Sequence, residues 1–318
     1  MAGLFADAPG RVRVIEVGPR DGLQNEPDSV PTDRKVALVD ALSAAGLGQV
    51  EVTSFVSPKW IPQLADAVEV ASRIARRPGV VYSALVPNMK GYARFREAGL
   101  SQAALFISAS ETHNKKNVNK TIAETIEAFR PVADAARKDG VPLRAYVSTV
   151  LGCPYEGPVA PAKVLDTAKQ LLALGVVELS LGDTIGAGNP ATLARLLDAV
   201  LPEIPASRIA LHLHDTRGTA LANAVTGLGM GVCAFDSAIG GLGGCPYAPG
   251  ASGNLPTEDL VQMLHGMGIE TGVDGEKLMD AARLARELAG RPLPSHMLSA
   301  LDGPRVAASA ARPESSPE

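Results

Sequence analysis

Residues 209–215, Ile209-Ala210-Leu211-His212-Leu213-His214-Asp215, read as a strand ending in a polar turn. Successive strand side chains point to opposite faces, so His212 and His214 share one face while Leu211 and Leu213 face a helix layer. A helical pattern follows at 218–229, and a second strand-like run at 232–238. The same unit recurs along the chain. Strand-like runs lie at 12–17, 50–53, 80–86, 103–108, 143–150 and 176–181, with helical patterns at 33–46, 62–76, 90–98, 119–138, 161–174 and 190–200. Two more helical patterns, 257–267 and 275–289, follow the last strand. A strand-plus-helix repeat of about thirty residues is the size of a parallel βαβ unit. No hairpin signal interrupts the alternation, so the sheet is expected to be parallel. Eight units predict an α/β fold, a closed (β/α)8 TIM barrel with extra C-terminal helices, rather than an open doubly wound sheet.

The chain has 318 residues, 46% of them hydrophobic, enough for one large core. Residues 1–305 are expected to form a single barrel domain, with 306–318 a polar, Pro-rich disordered tail. A net charge of −4 argues against a broad nucleic-acid footprint. Cys153, Cys233 and Cys245 form no CxxC pair, which argues against a disulfide framework or a Cys-rich zinc site and fits a reducing, cytoplasmic setting. The start lacks a basic leader region, and no apolar run is long enough for a membrane span.

Barrel active sites form at the C-terminal ends of the strands. Arg20 and Asp21 follow the first strand, Glu51 lies in the second with Ser54 just after it, and Asp183 follows the sixth. His212 and His214 end the seventh, while Cys245 and Asn254 sit in the segment 240–254 after the eighth. Six of those fifteen residues are glycine, so the segment is expected to be a loop that approaches a ligand closely and moves as a lid. Capping demands scatter polar residues among loops, but they do not place two histidines inside a strand. An inward-facing HxH pair at a barrel mouth points to a metal ion. Asp21 is the candidate carboxylate and Asn254 a candidate carbonyl donor. Two imidazoles and two oxygens suit Mg²⁺ or Mn²⁺, with zinc the competitor, more so if Cys245 binds the metal.

Five segments, 15–26, 51–60, 181–186, 212–216 and 241–254, resemble the hydroxymethylglutaryl-CoA lyase family, in order and without obvious gaps from about residue 12 to residue 265. The resemblance implies a barrel with one divalent cation and cleavage of 3-hydroxy-3-methylglutaryl-CoA to acetyl-CoA and acetoacetate, a step in leucine breakdown and ketone-body formation. It implies Asp21, His212, His214 and Asn254 as metal ligands, Arg20, Cys245 and His212 as catalytic residues, and Glu51 and Asp183 as acidic support. The Arg-Asp and HxH pairs are shared with a wider superfamily that includes isopropylmalate and homocitrate synthases. The rival readings are therefore a lyase for a related branched 3-hydroxyglutaryl-CoA and a synthase condensing an acyl-CoA with a 2-oxoacid. The Cys-bearing loop favours the lyase.

Retro-Claisen cleavage must remove a hydroxyl proton, stabilise an enolate and reprotonate it. Arg20 suits the enolate oxygen. Cys245 is the candidate base or proton shuttle, and it needs a nearby cation to be a thiolate at neutral pH; its alternative is a small buried hydrophobe. Cys233 reads as core, and Cys153, at the fifth strand exit, is undecided. Glu51 is either a metal ligand or the carboxylate that orients Arg20, and the second is favoured. Asp183 is expected to hold a metal-bound water or the partner of Glu51. Ser54 and Ser180 are expected to hydrogen-bond the substrate. Lys115, Lys116 and Asn117 are expected to open the helix at 119–138, where free N–H groups favour the phosphates of an acyl-CoA. A homodimer is expected, and no nucleic-acid or membrane partner.

Overall fold

The structure, a computed structural model, describes residues 9–244 and 253–302. Eight parallel strands close into a barrel in sequential order. They are β1 (Arg13–Glu16), β2 (Gln49–Ser54), β3 (Val81–Leu85), β4 (Gln102–Ser108), β5 (Leu143–Ser148), β6 (Glu178–Asp183), β7 (Ile209–Leu213) and β8 (Ala234–Ser237). Around them run α1 (Thr32–Ala44), α2 (Ala67–Arg73), α3 (Met89–Ala98), α4 (Glu111–Val118), α5 (Ile122–Asp139), α6 (Pro161–Ala173), α7 (Pro190–Val200) and α8 (Ala220–Gly229). The extra C-terminal helices are α9 (Thr257–Gly266), α10 (Gly275–Ala289) and α11 (His296–Asp302). The expected tail at 306–318 lies outside the described residues. No helix among the described residues is long and apolar enough to cross a membrane.

The helices form for legible reasons. In α5 the buried Ile126, Phe129, Val132, Ala133 and Ala136 fall at helical spacing, Thr121 and Glu124 close a capping box, and Gly140 ends the helix in the left-handed region. One expectation is corrected here. The pattern at 119–138 forms one helix, α5, but what precedes it is a second helix: α4 comes first, started by the Ser110 side chain accepting from the His113 amide. Asn119, with φ 55°, breaks it before α5. Only His113 and Asn114 of α4 are buried, so no apolar stripe announces the helix. Lys115, Lys116 and Asn117 are consequently exposed in the last turns of α4, not at a helix N-terminus.

The barrel interior departs from aliphatic layers toward its N-terminal end. Arg13 pairs with Glu178 and donates to Gln49 Oε1 at 2.7 Å; Gln49 in turn donates to Gln102 at 2.7 Å. Arg144 spans Glu178 at 2.7 Å and Asp236 at 2.5 Å. Buried charges persist only when paired in this way.

Two further carboxyls, Glu16 at the end of β1 and Glu258 in the first turn of α9, are pushed up from 4.5 to about 7, chiefly by burial. The native state therefore keeps a proton between pH 4.5 and 7 that the unfolded chain has lost. Stability from each group is full below 4.5 and falls as pH rises through about 7, by at most about 3 kcal/mol at 1.36 kcal/mol per unit. Glu258→Gln removes one of the two contributions. The melting temperature of the variant relative to the parent is expected to rise from pH 5 to pH 8; a pH-independent difference would contradict the assignment.

Candidate active site

β1 runs into Gly18-Pro19-Arg20-Asp21-Gly22, a single π-helical turn in which the Arg20 and Asp21 amides both bond to Val17 O. The turn aims Arg20 and Asp21 into the barrel mouth. Gly22 is needed for close approach, since a Cβ there would lie 2.6 Å from Leu242 Cβ at the root of the Gly-rich loop. Across the barrel, β7 presents His212 and His214 inward while Leu211 and Leu213 pack in the core. The chain returns at Gly253: Asp215 N bonds to Gly253 O and Leu255 N to Leu213 O. This bridge sets Asn254 opposite His214.

These elements converge. Among the described residues, Asp21, His212 and His214 form the group able to hold a metal ion. His212 Nε2 lies 3.2 Å from His214 Nε2 and 3.8 Å from Asp21 Oδ2. Two imidazole nitrogens that close need a proton or a cation between them. Asn254 donates through Nδ2 to Asp21 Oδ2 at 2.9 Å and to Leu242 O at 3.1 Å. Its Oδ1 is buried without a hydrogen-bond partner among the described residues. Burial, with His212 adding to it, pushes His214 down to about 3, so its ring is neutral and a lone pair is available. Burial alone pushes Asp21 up, but Arg20, His212 and the Asn254 amide outweigh it and hold the carboxyl at about 2. A carboxylate, two imidazoles and an orphaned amide carbonyl make a donor set that fits a divalent cation.

Arg20 lies beside this set. Its Nε donates to Glu51 Oε1 at 2.6 Å, its Nη2 reaches Glu51 Oε2 at 3.4 Å, and its Nη1 pairs with Asp21. Glu51 thus orients the guanidinium, and its second oxygen also accepts from Tyr146 OH. Tyr146 lies between two guanidiniums, with Arg20 at 5.0 Å and Arg144 at 4.8 Å from its ring. Burial and then the Glu51 charge push the Tyr146 phenol well above its ordinary value, so it acts as a donor.

Three residues here escaped the sequence reading: Tyr146, Asp236 and Arg144. The β7–β8 register pairs His212 with Asp236, and His212 Nδ1 lies 3.3 Å from Asp236 Oδ2. Asp236 is fixed in turn by Arg144 at 2.5 Å and by Ser180 Oγ at 2.6 Å. Burial alone raises Asp236, yet Arg144 and His212 outweigh it and keep it ionised. A carboxylate on one ring nitrogen fixes the tautomer that turns the other toward a metal. Asp236→Asn is expected to weaken Mn²⁺ binding about 10- to 100-fold, read by EPR titration, and to lower stability by leaving Arg144 without its charge partner. Unchanged Mn²⁺ affinity in the folded variant would contradict this role. The available signal was the one charged residue in a largely apolar strand, 232–238.

Other expected site residues have partners of their own. Asp183 is fully buried, with Oδ1 accepting from the Ala187 amide at 3.0 Å and Oδ2 from Gly188 at 2.9 Å, so it shapes the loop after β6. Ser54 Oγ accepts from Val56 N at 3.2 Å, and Ser180 is committed to Asp236. Lys116 Nζ sits 4.6 Å over the Tyr155 ring. Cys153 is buried, its sulfur within 3.0 Å of Ser110 Oγ, and Cys233 packs against the core. Cys245 lies outside the described residues. The preceding segment, 239–242, is buried, so the root of the Gly-rich loop is anchored.

A closed parallel barrel with a carboxylate–imidazole–imidazole set and a clamped guanidinium at its mouth defines a metal-binding α/β-barrel enzyme. The HMGL-like family matches residues 11–285. The hydroxymethylglutaryl-CoA lyase YngG of Bacillus subtilis is 53% identical over 290 residues, covering 91% of this chain and 97% of that protein. The mitochondrial hydroxymethylglutaryl-CoA lyase of Bos taurus is 55% identical over 273 residues, covering 86% and 84%. The structure of an HMG-CoA lyase from Acinetobacter baumannii, in complex with coenzyme A and 3-methylmalate, superposes with a TM-score of 0.88 at 40% identity, covering 94% and 97%. The chain belongs to the hydroxymethylglutaryl-CoA lyase family.

Proposed function

We propose that this chain cleaves 3-hydroxy-3-methylglutaryl-CoA to acetyl-CoA and acetoacetate by a retro-Claisen reaction. The observation that carries the reading is the convergence of Arg20 with Asp21, His212 and His214 in a member of this lyase family. In the reaction the tertiary hydroxyl loses its proton and becomes the ketone of acetoacetate. The bond between C2 and C3 breaks, its electron pair passes to the thioester enolate, and protonation of that enolate gives acetyl-CoA.

Asp21, His212, His214 and the Asn254 carbonyl would hold the cation, Mg²⁺ or Mn²⁺. When bound, the cation polarises the substrate hydroxyl and fixes its orientation. Arg20, kept charged by Asp21 and Glu51, donates to the developing enolate oxygen. Glu51 and Tyr146 hold that guanidinium in one rotamer, and Asp236 holds His212. Cys245 is assigned the proton transfer, on the resemblance of its loop to the family's. Asp183 supports the site through the loop after β6. Ser54, Ser180, Lys115, Lys116 and Asn117 remain candidates for substrate contact, with the phosphates of CoA as the partner of the two lysines. A place in leucine degradation and ketone-body formation, a homodimer and a cytoplasmic location complete the proposal. The location rests on cysteine usage, and the bovine relative is mitochondrial.

The test offers the purified protein hydroxymethylglutaryl-CoA, a longer-branched 3-hydroxyglutaryl-CoA, and acetyl-CoA with a 2-oxoacid, each with Mn²⁺. Fastest turnover of hydroxymethylglutaryl-CoA supports the reading; preference for the branched thioester or for condensation replaces it with one of the rivals.

A further inference from the structure

The strand that ends at the site begins a second arrangement just beneath it. Glu16, the last residue of β1, is fully buried. Its Oε1 accepts from Gly18 N at 2.7 Å and from Ile239 N at 3.0 Å, and its Oε2 accepts from Thr257 Oγ1 at 2.6 Å. Gly18 opens the turn that carries Arg20 and Asp21. Ile239 begins the loop that leads to Cys245. Thr257 stands three residues after Asn254. One carboxyl group therefore joins three of the segments from which the site is assembled, leaving β7 with its two histidines aside. The next amide along the loop, Gly240 N, is taken by a different carboxyl, Glu258 Oε2, at 2.9 Å. Gly240 has φ +66°, and a Cβ there would lie 2.3 Å from Leu293 Cδ1, so the root of the loop is pressed against the segment between α10 and α11. Arg291, two residues before Leu293, grips Glu26 through both its Nε at 3.2 Å and its Nη2 at 2.6 Å.

We propose that Glu16 and Glu258 are positioning residues: a pair of buried carboxyls that catch consecutive amides, Ile239 N and Gly240 N, and so fix the root of the loop that leads to Cys245 beside the turn carrying Arg20 and Asp21. This inference rests on the lyase reading for its kinetic part only. The two residues have separable tasks. Glu16 ties the loop to the Asp21 turn and, through Thr257, to the Asn254 segment, so it sets the ligands as well as the thiol. Glu258 meets the loop root at Gly240 and Ser295 at the start of the last helix, neither in a segment that bears a metal ligand, so it bears on the thiol and not on the ligands. Neither reaches the metal ligands directly. Buried carboxyls with amide acceptor duty also explain why polar groups are tolerated beneath a loop packed on Leu293 and Pro294.

The test compares Glu258→Ala, Glu258→Gln and Glu16→Ala, each checked for folding by circular dichroism. It reads kcat and KM, Mn²⁺ affinity by EPR, and the rate of Cys245 alkylation by iodoacetamide mapped by mass spectrometry. Glu258→Ala is expected to lower kcat about 10- to 100-fold, the scale of a displacement near 1 Å, with little change in KM. Its Mn²⁺ affinity stays at the parent value while the Cys245 alkylation rate changes several-fold. Glu258→Gln, which keeps an oxygen for Gly240 N, restores most of both. Glu16→Ala is expected to lower Mn²⁺ affinity together with kcat; if it does not fold, Glu258→Ala decides alone. Parent-like kcat and alkylation in folded Glu258→Ala, or parent-like Mn²⁺ affinity in folded Glu16→Ala, would overturn the proposal. If the parent does not cleave hydroxymethylglutaryl-CoA, the lyase reading fails, while the alkylation and Mn²⁺ readouts still judge the clamp.

Discussion

Arg20→Lys is expected to lower kcat by about 10²–10³, the usual effect of removing an oxyanion donor, although charge and approximate length are kept. The guanidinium makes three contacts at once: Nε and Nη2 face Glu51, Nη1 faces Asp21, and its plane lies 5.0 Å from the Tyr146 ring. A lysine ammonium is one compact charge and cannot divide itself among two carboxylates and a substrate oxygen. It would settle between Glu51 and Asp21, where the negative charge is concentrated, and leave the enolate oxygen unsupported. Because Arg20 is only 4% exposed, no water replaces the missing donor cheaply. The loss should appear mainly in kcat, since the interaction strengthens as charge develops. A Lys variant within threefold of the parent would show that Arg20 serves as a partner for Glu51 and Asp21 only.

The second large effect is on the cation. His214→Ala is expected to weaken Mn²⁺ binding by more than about 100-fold, because even residues that merely support a ligand typically contribute 10–100-fold. The ring is neutral, 6% exposed, and held 3.2 Å from its companion nitrogen. Among the described residues His214 has no carboxylate on its far nitrogen, in contrast to His212, which has Asp236. The two histidines are therefore not equivalent. His214→Ala should abolish tight binding while preserving the fold, whereas His212→Ala also strands Asp236 beside Arg144 and should lower stability as well. Parent-like Mn²⁺ affinity in His214→Ala would remove it from the donor set.

Much of this was visible in residues 209–215. A strand with two histidines on one face fixes which face is inward, and the repeat around it gives the barrel. The components of the site that depend on one strand or one turn, such as Arg20, Asp21 and the HxH pair, were legible for that reason. What escaped depends on register between strands. Nothing local to 232–238 says that Asp236 will stand beside His212, or that Tyr146 will lie between Arg20 and Arg144; closure of the sheet decides both. α4 was missed because its surface is polar nearly all round, so it has a cap but no apolar period. The glycines of 240–254 were read as allowing close approach to a ligand and lid motion. At Gly240 the glycine serves close packing against Leu293, which composition cannot distinguish from mobility.

The most direct test of the central claim is acetyl-CoA and acetoacetate release from hydroxymethylglutaryl-CoA by metal-stripped protein, titrated with Mg²⁺ or Mn²⁺, for the parent and Cys245→Ala. The account predicts equimolar products that appear only with metal and collapse in the variant. Cleavage that persists in EDTA would contradict the metal site, and cleavage undiminished in Cys245→Ala would contradict the thiol's part in the reaction.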